Sequence, residues 1–206
     1  MMTRLHEFSL SSASYRVRIA LNLKDISYES QSYALRRKEH RADAYLALNP
    51  AGLVPCLEID GLRLTQSLAI IEYLDQRVPE PRLIPADPAA RARVQAIAQT
   101  IACDIHPLNN LRVLQYLDTA LGQDEDAQSR WYAHWIEAGF SALEAMLDAD
   151  PPAPWVAGDG PGLAEICIVP QLFNARRYAV DLTPWPRLVA LGERAAELPA
   201  FARAAP

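Results

Sequence analysis

ALNPAGLVPCLEIDGLRLTQSLAIIEYLDQ, residues 47–76, decides the fold. Two short apolar runs lie in it, Leu53 to Ile59 and Leu62 to Leu64, separated by Asp60-Gly61. Asp-Gly between such runs predicts a tight hairpin, because these residues accept the positive φ that the turn needs. Gln66 and Ser67 then open a helix with Leu68, Ile71 and Leu74 on one face. Upstream, a short helix over 41–48 stops at Asn49-Pro50, since proline disfavours helical backbone in the residue before it.

Working outward, residues 5–8 predict a strand. The serines at Ser11, Ser12 and Ser14 then precede a helix with Val17, Ala20, Leu21 and Lys24 at helical spacing; serine before such a run is a good N-cap. Residues 28–33 form a second strand. The order is strand, helix, strand, helix, strand, strand, helix. Between Val78 and Pro88 stand Pro79, Pro81, Pro85 and Pro88, a density that no helix tolerates. Beyond it the pattern is helical. Val94, Ile97, Ile101, Ile105 and Leu108 mark one long amphipathic helix; Ile136, Phe140, Leu143 and Leu147 mark another. After a break at 150–154, helices cover 163–178 and 187–196. The expected organisation is an α/β domain at 1–80, a proline-rich linker at 81–88 and an all-α domain at 89–206.

Composition narrows the function classes. Half of the 206 residues are hydrophobic, and 20 Lys+Arg against 25 Asp+Glu leave a net charge of −5. No stretch is basic enough for a nucleic-acid surface. Cys56, Cys103 and Cys167 form no CxxC pair, which argues against a zinc site or a disulfide framework; they read as reduced, small, buried apolar residues. No apolar run has the length of a membrane span, and MMTRLHEFSL lacks the apolar core of a secretion signal. The expectation is a cytoplasmic protein with neither a membrane nor a nucleic-acid partner and no metal.

Five segments, SSASYRVRIALNLK, ALNPAGLVPCLEIDG, QSLAIIEYLDQRVPEPRLIPADPAARARV, CDIHPLNNLRVLQYL and NARRYAVDLTPWP, resemble the zeta-type glutathione transferases in order and over nearly the whole chain. The resemblance implies a thioredoxin-like N-terminal domain, an all-helical C-terminal domain, glutathione as cofactor, a small-molecule substrate and a homodimer. It implies a glutathione-dependent cis–trans isomerase of conjugated enones or keto acids, in which a thiolate adds to the double bond, rotation follows and the thiolate leaves. A transferase or dehalogenase that consumes glutathione, and a non-catalytic binding protein on the same fold, are the alternatives.

The resemblance also assigns residues. Ser11, with Ser12 beside it, contacts the glutathione sulfur. A helix N-terminus favours an anion there and lowers a thiol pKa, although capping alone also explains these serines. Pro55 is expected in the cis form, with the Val54 backbone bonding the peptide as an added strand does. Gln66 and Ser67 hold the γ-glutamyl carboxylate, and His40 contacts the glycine end. In the helical domain, His106 and Asn110 share one helix face and reach glutathione. Arg112 and Arg177 bind the substrate, the latter through its carboxylate, while Arg176 is the solvated neighbour.

Four departures stand out. The zeta motif usually reads Ser-Ser-Cys-Ser-Trp after an arginine; Leu10, Ala13 and Tyr15 occupy the arginine, cysteine and tryptophan places. Loss of the arginine points to a less acidic substrate, or to one clamped from the second domain alone. At Gly162-Leu163-Ala164-Glu165 the usual Ser/Thr cap is a glycine, which predicts the loss of the capping box.

Overall fold

The computed structural model describes residues 2–148 and 153–206. Of the expected break, 150–152 lie outside the described residues. The chain forms two compact units: the first runs to Leu83 and takes in Leu198–Pro206, and the second is Ile84–Glu197. The last nine residues, expected in the helical domain, therefore belong with the first unit.

The first unit follows the order β1 (Arg4–Glu7), α1 (Ser12–Leu23), β2 (Glu29–Ser32), α2 (Asp43–Leu46), β3 (Cys56–Ile59), β4 (Leu62–Thr65) and α3 (Ser67–Arg77). The helix expected over 41–48 divides: Glu39–Arg41 is a 3-10 turn, and Ala42, with extended ψ of 148°, separates it from α2. The sheet order is β2-β1-β3-β4, with β1 and β2 parallel and the other pairs antiparallel. This is the thioredoxin-like arrangement. Leu5 and Leu57, partners in register, are completely buried, as strand alternation demands of a covered face.

The neighbouring strand residue His6 points the other way and is also buried. One ring nitrogen lies 2.9 Å from the Tyr33 hydroxyl, the other 2.9 Å from the Glu58 carboxylate. The hydrogen bond from His6 holds the Glu58 carboxyl below its usual range, aided by the charges of His6, Arg63 and Arg4. A depressed folded-state pKa stabilises above the unfolded value and loses that stabilisation as pH falls through the folded one. Glu58→Gln is therefore expected to flatten the acid-side decline in stability below about pH 4. Urea midpoints measured from about pH 6 down to 3 check this; an unchanged slope refutes it.

The second unit contains α4 (Pro88–Gln99), a π-helical segment (Thr100–Ile105), α5 (Leu111–Thr119), α6 (Glu125–Asp148), α7 (Leu163–Arg177) and α8 (Pro186–Ala196); α9 (Pro199–Ala202) lies in the tail. The single helix expected over 94–108 thus ends in a π turn, where the His106 N–H bonds the Ile101 carbonyl at 2.9 Å. Pro107, which has no N–H, cannot continue the ladder. Gly139 on α6 admits this segment: a Cβ there would stand 2.3 Å from the Ile105 side chain.

The capping box is only half lost. Glycine has no side chain to bond the first turn of α7, but the Glu165 carboxylate still accepts from the Gly162 and Val156 N–H groups, both at 2.8 Å. Burial raises the Glu165 pKa. Among the described residues no helix is long and apolar enough to cross a membrane.

Candidate glutathione site and substrate contacts

The sheet register gathers three chain segments at one end. His6 pairs with Cys56, and Cys56 with Thr65. The loop after β1, the segment before β3 and the segment after β4 therefore emerge together. They carry Ser11, Val54-Pro55 and Gln66-Ser67 respectively.

Ser11 is the N-cap of α1. Its φ and ψ are −73° and 119°, and its Oγ accepts from the Ser14 N–H at 3.2 Å. The hydroxyl proton is not spent in that contact, because the oxygen is the acceptor. Ser11 is half-buried, Ser12 and Ser14 are buried, and Ala13 is half-buried. The cap bond thus leaves the hydroxyl proton available to a second partner.

The Val54–Pro55 peptide is cis, as the resemblance implies. The residue before it is pinned: the Leu53 carbonyl accepts from the Tyr45 hydroxyl at 2.6 Å and from Asn49 Nδ2 at 2.7 Å. Val54 itself precedes β3 and has no backbone partner among the described residues. A peptide strand could pair there.

Gln66 has φ of 67°, a left-handed value uncommon in residues other than glycine. It turns the chain so that Ser67 begins α3. Ser67 is buried, and its Oγ accepts from Arg16 Nη1 at 3.3 Å. With that lone pair engaged, the Ser67 hydroxyl is left to donate, as a carboxylate requires. Arg16 is 1% exposed and adds a cation at an anion-favouring helix start. Sequence reading did not single it out, because 51 residues separate it from Ser67.

His40 lies in the 3-10 turn Glu39–Arg41, half-buried, and its Nδ1 is buried without a hydrogen-bond partner. Burial, then the Arg41 charge, lowers its pKa. A neutral ring with one open nitrogen suits a polar ligand. The orphaned His40 nitrogen, the open Val54 backbone and the two serine-bearing helix starts fit glutathione.

The remaining candidates lie in the second unit. His106 and Asn110 do not share a regular helix, since turn residues separate the π segment from α5. Their side chains nevertheless meet, with Asn110 Nδ2 3.4 Å from His106 Nε2. Asn110 also caps α5, accepting from the Arg112 N–H at 3.2 Å. The Arg112 side chain is exposed. The two adjacent arginines differ. Arg176 is paired with Glu193 at 2.9 Å. Arg177 lies over the Phe173 ring at 5.9 Å and contacts Asn174 Oδ1 at 3.3 Å, with no carboxylate in that set.

The cysteines require one correction. Cys56 and Cys167 are buried as expected, but Cys103 is exposed on the π segment. Burial pushes the Cys56 thiol up to about 11, so it is not a nucleophile at neutral pH.

Residues 5–82 match the glutathione S-transferase N-terminal domain. Over 204 residues the chain is 48% identical to a maleylpyruvate isomerase of Ralstonia sp., covering 98% of this chain and 96% of that protein. A solved holo maleylpyruvate isomerase, described as a bacterial zeta-class glutathione S-transferase, superposes with a TM-score of 0.96 at 48% identity, covering 98% of this chain and 96% of that one. The maleylacetoacetate isomerase of Anaeromyxobacter dehalogenans, solved with bound glutathione, gives 0.88 at 38% identity over 99% of this chain and 94% of its own. The chain belongs to the glutathione transferase family, within its zeta class.

Proposed function

We propose that this chain is a glutathione-dependent cis–trans isomerase of a conjugated keto acid of the maleylpyruvate or maleylacetoacetate type, or of a less acidic relative. The observation that carries the reading is the gathering of Ser11, Val54-Pro55 and Ser67 at one end of the sheet, in a chain 48% identical to a maleylpyruvate isomerase along nearly its whole length.

Glutathione, when bound, supplies the thiol whose reversible addition lets the substrate's double bond rotate. The chain's residues do the rest. Ser11 and the α1 N-terminus, with Ser12 beside them, hold the sulfur as an anion. The Val54 backbone aligns the cysteinyl part, Gln66 and Ser67 receive the γ-glutamyl carboxylate, and His40 meets the glycine end. His106 and Asn110, whose side chains meet each other, are assigned as further glutathione ligands. Arg112 and Arg177 are assigned to the substrate, Arg177 to its carboxylate and Arg112 to the developing enolate oxygen, where a fixed cation lowers the barrier. Leu10, next to Ser11 and 36% exposed, offers no second cation. The enzyme works in the cytoplasm as a homodimer.

Turnover of maleylpyruvate, maleylacetoacetate and less acidic cis-enones, with and without glutathione, tests this. Isomerisation that needs glutathione and leaves total free thiol constant is expected. Stoichiometric thiol loss selects the transferase or dehalogenase reading, and no affinity for immobilised glutathione selects a binding protein. Arg177→Ala is expected to raise KM for the acidic substrate roughly ten- to hundredfold, the scale of a lost charged hydrogen bond. Arg176→Ala, which frees only Glu193, is expected to change it by less than about twofold; equal effects dismiss the assignment.

A further inference from the structure

We propose that Arg18 is a positioning residue for the thiolate site, tying the loop that carries Ser11 to the chain's C-terminal tail. Arg18 is buried in the second turn of α1, and each branch of its guanidinium ends on a different acceptor. Nε donates to the Ala204 carbonyl at 2.7 Å, Nη2 donates to the Ser9 carbonyl at 2.9 Å, and Nη1 pairs with the Glu7 carboxylate. The other Glu7 oxygen accepts from Ser30 Oγ at 2.6 Å. The Tyr15 ring lies 5.3 Å from the guanidinium carbon.

The fork is planar and rigid, so the Ser9 carbonyl cannot shift without disturbing Glu7 and Ala204. Ser9 stands two residues before Ser11, whose N–H bonds the Phe8 carbonyl at 2.9 Å and whose carbonyl receives the Tyr15 N–H at 2.8 Å. One guanidinium thus fixes the end of β1, the loop before the cap and the tail. One helical turn along α1, Asn22 Nδ2 bonds the Ala200 carbonyl at 2.9 Å. It holds the same tail but makes no contact with the loop in that bond, which makes it the natural control. Phe201 and Ala204 are fully buried, so the tail is a fixed anchor.

The inference rests on the reading of Ser11 as the sulfur contact, and its test separates the two. Arg18→Lys keeps the charge that faces Glu7, but its single nitrogen cannot replace a fork whose three nitrogens each reach a different acceptor. The pH dependence of the ultraviolet thiolate band of enzyme-bound glutathione is measured in Arg18→Lys, Ser11→Ala, their double variant and Asn22→Ala. Arg18→Lys is expected to raise the bound thiol pKa by about one unit, a roughly tenfold loss of thiolate, lowering kcat with KM for glutathione nearly unchanged. Asn22→Ala is expected to leave the thiol pKa unaltered. In the Ser11→Ala background the Arg18→Lys shift is expected to vanish, which a general loss of packing does not produce.

A folded Arg18→Lys protein with an unchanged thiol pKa, or the same shift with and without Ser11, overturns the inference and leaves the Ser11 reading intact. An unchanged thiol pKa in Ser11→Ala alone removes both. Should Arg18→Lys not fold, a chain ending at Ala202 decides. It removes the Ala204 carbonyl, keeps Phe201 and the Asn22–Ala200 bond, and is expected to shift the thiol in the same direction; no shift overturns the inference.

Discussion

Ser11→Ala is expected to reduce isomerase turnover at saturating glutathione by on the order of a hundredfold, the usual consequence of removing one preorganised donor from a developing anion. Its Oγ accepts from Ser14 N–H at 3.2 Å, so the hydroxyl proton is not spent in the cap and, on the proposed reading, can donate to the sulfur. The substitution also removes a helix cap, at a cost of about 1 kcal/mol, so activity and stability must be read separately. Ser11→Asn separates them. Asparagine caps as well as serine, yet its amide cannot occupy the hydroxyl's place. Near-parental urea unfolding with turnover still depressed is expected of Asn, and both losses of Ala. If alanine lowers only the unfolding midpoint while turnover and the bound thiol pKa stay put, Ser11 is a cap and nothing more.

The readable parts of this sequence are those whose cause is local. Asp60-Gly61 closes its hairpin because two adjacent residues accept the turn, and Ser11 caps because the bond spans three residues. The site's outline followed, since strand order and register bring Ser11, Pro55 and Ser67 to one end of the sheet. The residues behind it were not legible. Arg16 meets Ser67 and Lys24 meets Asp75 across 51 residues, and Arg18 meets Ala204 across 186; nothing in SYRVRIALNLK marks which of its cations are buried. Pro107 interrupts the ladder but does not set the kind of irregularity. A proline stops a ladder, and whether the turn before it widens to a π register depends on what lies against it, here Gly139. The half-kept capping box has the same origin: Glu165 could be seen to lack a serine partner, but its second bond, to Val156, lies outside the four-residue motif.

Lys24→Met is expected to cost about 3–5 kcal/mol of stability, the penalty for removing one member of a buried ion pair. That is a large share of the roughly 5–15 kcal/mol that holds a domain together. The Lys24 side chain has 0% exposure, and Asp75 has 5%. The ammonium donates to Asp75 Oδ1 at 2.7 Å, to the Val78 carbonyl at 2.6 Å and to the Pro81 carbonyl at 2.5 Å. Its three protons therefore meet three acceptors, which is why methionine of similar length is no substitute. Asp75 would keep the Leu83 N–H at 2.7 Å, but hydrogen bonds from neutral amides do not neutralise a buried carboxylate. Adding Asp75→Asn to Lys24→Met removes the stranded charge, so the double variant is expected to be more stable than Lys24→Met alone. Urea unfolding measures both. A loss below about 1 kcal/mol in the single variant, the level of an exposed pair, or a double variant weaker than the single one, rules out the buried ammonium as the anchor of the Val78–Pro81 stretch.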